Sequence, residues 1–459
     1  MAADGRSGLC AVVQKCRTIR RFQRREDTTM NISRRHILTI GTAGVAGAVI
    51  AGCSRGGGSG DSGDSDASGT LQFTWWGNEV RNENTTDALD AYMEENSDVS
   101  IEPQPGEWAS YWDRLATQTA GGTAPDIIQM DMAFISEYGQ RGALLDLSEH
   151  GADTSKFIDG SVESGEIEGA LYGISAGINT PVVCVNPDAF AAAGVDLPDD
   201  MSWTWEDWLE IATEISASGQ AVGTSAFLSS PALFSAWLRQ QGKEAFLEGS
   251  RLGFEVDDVR GWFELHQRFA DADAIASPSQ ITEDATKPLN ESDFVVGNTA
   301  MASFWSNQLE ALEAASGREL TLLRFPSIDG DATTRKAWYK ASMLWSASAT
   351  TEDPEGAVAL INWWVNSTTA AEIELAERGV PPNGEVADAI RDQLSDGQQR
   401  VSAFIDEIQP EIAETEIAPP PGGGQLPTLL ERHGMEMLFG DSSSADAAQG
   451  FHDELAAGM

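Results

Sequence analysis

The side chains able to do chemistry are unevenly distributed in this chain of 459 residues: 72 Asp and Glu face 29 Lys and Arg, with only 5 His and 4 Cys, while 14 Trp stand against 5 Tyr. So few His and Cys leave little material for a zinc cage or a Cys/His nucleophile pair. Clustered Tyr or His ligands of the kind that hold iron are scarce for the same reason. A net charge of −43 repels phosphate backbones instead of neutralising them, which excludes nucleic acid as a partner. Paired carboxylates would serve glycoside hydrolysis, but they are so numerous that no pair is singled out. What is in excess is flat aromatic surface together with hydrogen-bond acceptors.

The elements that must position such side chains begin only after a long leader. Residues 34–53 carry a twin arginine, Arg34-Arg35, then a weakly apolar stretch from Ile37 to Ala51, then small residues before Cys53. This order is that of an export signal. Ser33-Arg34-Arg35-His36-Ile37-Leu38 resembles the twin-arginine signal, and Val49-Ile50-Ala51-Gly52-Cys53 resembles a lipobox, whose cysteine becomes the lipidated first residue. The apolar run is shorter than the ~20 residues a spanning helix needs and is rich in Gly and Ala, which argues against a transmembrane anchor. Lipid on Cys53 would hold the protein at a membrane surface. Residues 1–29 are basic and without period, and Met30 reads as the better initiator. The expected layout is therefore a signal over 1–53, a flexible Gly/Ser/Asp tether over 54–70 and a folded part from Leu71. Only Cys184 would remain beside the lipid cysteine, so no intramolecular disulfide is expected. It lies in the apolar run Pro181–Val185, which reads as a buried strand.

Leu71–Trp76 alternates and then turns wholly apolar, as an entering strand does, and Gly77 breaks it. A helix follows, with Thr85 or Thr86 as N-cap and Leu89, Tyr92 and Met93 on one face. Val99–Glu102 is the next strand. A second helix carries Tyr111 and Leu115 and ends at Gly121-Gly122, and Pro125–Met130 is a third strand. Strand, helix, strand, helix, strand predicts a parallel α/β sheet. Thr204 caps a later helix that buries Trp208, Ile211, Ala212 and Ile215, and Gly219 stops it. Asp353-Pro354-Glu355 opens another, with Val358, Ile361 and Val365 inside. Pro419–Gly424 must be loop, a short amphipathic helix ends the chain, and no internal repeat is visible.

Four stretches recur in a familiar order. Ala120-Gly121-Gly122-Thr123-Ala124-Pro125-Asp126-Ile127-Ile128 turns into a strand. Gly169-Ala170-Leu171-Tyr172-Gly173-Ile174 is followed by Val183-Cys184-Val185-Asn186-Pro187-Asp188-Ala189-Phe190, Ala193-Gly194 and Trp203-Thr204-Trp205. Gly297-Asn298-Thr299-Ala300-Met301-Ala302 precedes Trp305, and Pro326-Ser327-Ile328-Asp329-Gly330 precedes Asp353-Pro354-Glu355-Gly356-Ala357. Together, from Leu71 onward, they resemble family 1 of the extracellular solute-binding proteins, the maltose-binding-protein-like lipoprotein receptors of sugar-importing ABC transporters. The departures are small: Ile50 replaces the usual lipobox Leu, and Ile174 lacks the proline that often follows it.

The resemblance implies an α/β chain with a two-lobe periplasmic-binding-protein-like (type II) fold, a hinge and an interlobe cleft. One lobe would comprise 71–179 and 327–375, the other 180–326 and 376–459. Ligand would sit at the carboxyl ends of the sheets and favour hinge closure. No catalysis and no cofactor are implied. The implied partners are a mono- or oligosaccharide, a permease with its ATPase, and the outer face of the cytoplasmic membrane through lipid on Cys53, with the receptor a monomer. A polyamine or other non-sugar solute suits the acidic balance and is the alternative cargo; an exported glycoside hydrolase is the alternative class.

By the same resemblance Trp305 takes the position of a sugar-stacking aromatic, with Ser306-Asn307 supplying polar atoms beside it. Trp345 falls where relatives line the cleft, although its apolar neighbours suit core packing as well. Trp76, Asn78 and Glu79 lie on the first strand-to-helix loop, where Trp75 and Trp76 would otherwise pack under the lobe. Asp131, after the third strand, either accepts hydroxyls or caps the helix through Phe134 and Ile135. Trp108 with Glu107, and Trp237, are ligand candidates near helix starts, where aromatics equally fill cores. Arg378 either reaches the cleft or caps the preceding helix. Trp203 and Trp208 are expected to be structural, and Asp126 to serve the turn into the third strand.

Overall fold

A computed structural model describes residues 70–459; the expected export signal, Cys53 and the expected tether as far as Gly69 lie outside the described residues. Nine strands build two sheets. β1 (Thr70–Trp76), β2 (Ser100–Gly106), β3 (Ile127–Met130), β4 (Ile174–Asn179) and β9 (Lys340–Ala347) form the first, in the order β2-β1-β3-β9-β4. β5 (Pro181–Val185), β6 (Val222–Thr224), β7 (Thr299–Trp305) and β8 (Thr321–Leu323) form the second, in the order β8-β5-β7-β6. β1 pairs in parallel with β2 and β3, as strands joined through helices do. The expected parallel sheet ends there, because β9 enters antiparallel between β3 and β4.

The first helix, Glu79–Glu95, starts earlier than its hydroxyl residues indicate. Asn78, and neither Thr85 nor Thr86, is the N-cap: its Oδ1 accepts the Arg81 N–H at 2.9 Å. Thr85 and Thr86 lie inside the helix and donate back to the carbonyls of Arg81 and Asn82, the bond that lets a hydroxyl residue sit there. Asp126 does hold the turn before β3, accepting from Gln72 N–H and from the Thr351 hydroxyl. Thr204 and Asp207 form a reciprocal cap for Trp205–Ser218.

Each sheet is covered on both faces. One face of the first packs Phe73, Trp75 and Leu89 against Trp345 and Trp364; the other packs Trp76, Tyr111, Leu115 and Met130. In the second, β5 sends Val183 and Val185 into a cluster with Trp208, Phe227 and Trp262, and Val182 and Cys184 into one with Phe294, Leu312 and Ile405. A strand buried on both faces reads as an unbroken apolar run, and each such side chain contributes about 1.5–3 kcal/mol. Burial pushes the Cys184 thiol up to about 12, which leaves it inert.

The sheets define two lobes, and β4 crosses from the first to the second through Asn179-Thr180 into β5. The chain returns between β8 and β9. Val380 then bridges to Ile178 of β4, and helix Asp396–Ile408 joins the second lobe's core. Between them Val386, Ile390 and Leu394 pack on Ala371. Gly177 is required where the return passes, since a Cβ there would lie 2.1 Å from the Arg378 carbonyl oxygen.

Candidate functional site

β3 stops at Met130, and Asp131 caps the helix Met132–Gln140 by accepting the Ala133 N–H at 2.8 Å. Asp131, Met132 and Ala133 form the first lobe's wall of a cavity of about 230 Å³. The second lobe supplies Ala232 and Ser235 from helix Pro231–Arg239, Glu244 from the following loop, Phe246 from the short strand Phe246–Leu247, and Trp305 from the end of β7. Lys340, the first residue of β9, enters from the crossing, and Glu416 and Ile417 come from the irregular segment just ahead of Pro419. A second cavity of about 590 Å³ shares Glu416 and Ile417 and is lined besides by Ser136, Gln140 and Glu163 and by the hairpin segments Glu166–Gly169 and Leu247–Ser250.

The polar groups of the first cavity differ in what they offer. The Lys340 ammonium rests 5.2 Å from the centroid of the Trp305 ring and donates to the Ala341 carbonyl at 3.2 Å, a cation over an aromatic face. Glu416 accepts a bond from the Ser235 hydroxyl. Burial pushes its carboxyl up to about 8, with Arg239 and Lys340 drawing it down and Glu244 raising it further. Part of the residue still opens on the cavity. Arg239 is held by Glu244 at 3.3 Å, by the Glu414 carbonyl and by the Trp338 ring at 5.3 Å. The rim thus combines a carboxylate acceptor, a carboxyl protonated over much of the neutral range and an ammonium donor beside an aromatic plane. Such a set satisfies hydroxyls in either hydrogen-bonding sense.

Of the residues singled out in the sequence, Trp305 and Asp131 line this cavity, and Asp131 takes the expected role of helix cap. Trp76, Asn78, Glu79 and Trp108 gather at the same end of the first sheet but do not line the cavity. Trp76 is buried edge-on against Trp108 and Tyr111, each at 5.1 Å. Asn78 is spent on the helix cap, Glu79 is exposed, and Trp108 is 49% exposed.

Three candidates lie away from the cavity. Trp237 packs in the second lobe's core, 6.0 Å from Trp205. Trp345 is fully buried, 4.8 Å from Phe73 and 5.0 Å from Trp364. Arg378 lies over Trp345 at 5.1 Å, donating to Gln129 at 3.1 Å, to Thr85 at 2.7 Å and to Glu374. A buried guanidinium needs that many acceptors, so Arg378 neither reaches the cleft nor caps a helix end. Ser306 and Asn307 face the crossing: Ser306 Oγ accepts the Thr180 N–H at 3.2 Å and Asn307 Oδ1 accepts from Asn179 at 3.1 Å.

Sequence reasoning missed Lys340, Glu416, Ser235, Glu244 and Phe246. Lys340 had a signal, a single cation immediately before the stretch Ser342–Ala347 already pointed at the cleft. Glu416 had none beyond lying just ahead of the Pro419–Gly424 loop. Among the described residues no group of three or more His, Cys, Asp or Glu side chains is placed to hold a metal ion, and no helix is long and apolar enough to cross a membrane.

With this geometry in hand, the likeness to known proteins is informative. A curated relative, an uncharacterized lipoprotein in the oleD 5′ region of Streptomyces antibioticus, is 27% identical over 178 residues, and the match covers 38% of this chain and 38% of that relative's length. Solved structures align far more completely. A family 1 extracellular solute-binding protein from Alicyclobacillus acidocaldarius gives a TM-score of 0.67 at 23% identity over 86% of this chain and 99% of that one. An oligogalacturonide-binding protein from Yersinia enterocolitica gives 0.71 at 20% identity, covering 84% and 98%. An ABC substrate-binding protein from Listeria monocytogenes, solved with cycloalternan, gives 0.68 at 19% identity, again over 84% and 98%. At such identities these structures establish the fold, two α/β lobes around a cleft. Residues 87–399 match the sequence pattern of the bacterial extracellular solute-binding proteins, more than half of the chain, and this protein belongs to that family.

Proposed function

We propose that the chain is the substrate-capturing receptor of a carbohydrate ABC importer, binding a sugar or oligosaccharide between its lobes and presenting it to a membrane permease and its ATPase. The observation that carries this reading is the cavity walled by both lobes, whose lining brings Asp131 and Glu416 together with the Trp305 ring and the Lys340 ammonium beside it. Ligand held by both walls stabilises the closed form and thereby marks the loaded receptor for the permease. The lobes are taken as 71–179 with 327–375 and 180–326 with 376–459. Lipid on Cys53, with the tether behind it, would keep a monomeric receptor on the outer face of the cytoplasmic membrane; the relative called a lipoprotein supports this. The oligogalacturonide and cycloalternan ligands of the structural neighbours support the cargo class.

The test is a thermal unfolding series on residues 54–459 with mono- and oligosaccharides, polyamines and metal ions. A ligand that binds only the folded state raises the midpoint, by about RT ln(1+[L]/Kd) in free energy. A shift with a sugar that is recovered intact supports the receptor; recovery of a cleaved sugar overturns it in favour of a hydrolase. One observation favours a second reading, a cationic solute such as a polyamine: the larger cavity carries Glu163, Glu166, Glu168 and Glu248. A shift with polyamines alone would select it.

A further inference from the structure

Glu416 lines both cavities, so carboxyl groups stand around it on either side. In the smaller cavity these are Asp131 and Glu244; in the larger they are Glu163, Glu166, Glu168 and Glu248. Along its own segment Glu414 is exposed, and Glu411 is held by Arg324 and Arg335. Two cations are near enough to act on it, Arg239 and Lys340, and both are engaged elsewhere. Arg239 is taken by Glu244 at 3.3 Å and by the Glu414 carbonyl. Lys340 is taken by the Ala341 carbonyl at 3.2 Å and the Trp305 ring at 5.2 Å. A half-buried carboxyl in such company holds its proton, because ionisation would add a charge that its spent cations do not neutralise. The rise to about 8 that burial imposes on it agrees.

The proton changes what the side chain can offer. An ionised carboxyl only accepts, whereas a protonated one keeps an acceptor oxygen and gains a donor. The Ser235 hydroxyl already occupies one oxygen of Glu416, which leaves the other to donate. Ring and linkage oxygens of a sugar only accept, and the other carboxyl groups of the smaller cavity, Asp131 and Glu244, cannot serve them while ionised. We propose that Glu416 binds the sugar as a neutral acid, donating its proton to a ligand oxygen, so that capture is linked to protonation and the cleft loses affinity when this carboxyl ionises. The inference rests on the carbohydrate reading and names a control on the same site.

Calorimetric titration with glucose, galactose, maltose, cellobiose and maltotriose at pH 6 and pH 9 tests it. A wild type that binds one of these should lose about tenfold in affinity between the two, since competence follows the protonated fraction. It should also take up about one proton per sugar bound at pH 9, read from heats in buffers of different ionisation enthalpy. Glu416→Gln, whose amide donates at every pH, should bind equally at both and take up none. A wild-type affinity that is constant or rises with pH overturns the inference, as does the same pH dependence in Glu416→Gln. If that variant does not fold, Ser235→Ala replaces it: losing a donor that favours the ionised form should move the fall in affinity to higher pH, and an unmoved fall overturns the inference. A wild type that binds none of the five at either pH overturns the carbohydrate reading and this inference with it.

Discussion

An ammonium resting on an aromatic face is a displaceable occupant. With Lys340 at 5.2 Å from the Trp305 ring, a sugar bound as proposed would meet a platform already kept in place and an ammonium free to exchange the ring for a hydroxyl. Trp305→Ala should weaken sugar binding by about tenfold or more with little change in the unfolding midpoint, since the side chain is only half-buried. Trp345→Ala should do the reverse and cost about 3–5 kcal/mol of stability, because that ring is sealed among Phe73 and Trp364. Denaturant melts and calorimetry of the pair separate the two roles. Glu416 makes a pH prediction. Below its ordinary value of 4.5 the carboxyl is protonated in the folded and unfolded chain alike; between 4.5 and about 8 only the folded protein keeps the proton. Its contribution to stability is therefore full at low pH, falls through that window and levels off above about 8. Glu416→Gln should remain protonated-like throughout, so its midpoint should gain on the wild type steadily from pH 5 to pH 8. A difference that does not vary with pH would show that Glu416 ionises normally.

Local periodicity carries the elements that are local. β1, the helix Trp108–Ala120, the capped helix Trp205–Ser218 and the Asp353-Pro354 helix start all follow from alternation, 3.6-residue stripes and cap residues. The entry of β9 between β3 and β4 does not, because Lys340–Ala347 has seven buried residues in a row and such a run is silent about direction and partner. The same silence misplaces Trp345, which an all-buried strand can send to either face. Asn78 shows the converse: two threonines further along offered themselves as the cap, and the amide nearer the strand end took the position. Asn78→Ala should cost about 1 kcal/mol in stability and leave ligand affinity unchanged; a loss of affinity without a loss of stability would return Asn78 to the binding site. For the cavity itself, Trp305 and Asp131 were legible because they close strands whose motifs are local. Ser235, Phe246 and Glu416 were not, since only the packing of distant segments brings them to one wall.

At the scale of the whole molecule the charge dominates. A net −43 keeps the chain soluble and repels itself, so added salt should raise the unfolding midpoint as screening lengths fall from about 10 Å at 0.1 M to about 3 Å at 1 M; a midpoint that drops with sodium chloride would assign more weight to ion pairs such as Arg324 with Asp200 and Glu411. The distribution of the indoles has a consequence of another kind. Most of the 14 are enclosed in the two lobes, where emission is blue and indifferent to solutes. The ring under Lys340 and that of Trp108 meet water directly. If the cleft takes its ligand as proposed, occupancy would shift the emission of the ring under Lys340 against that of the enclosed majority, an intrinsic optical gauge of loading readable without a dye.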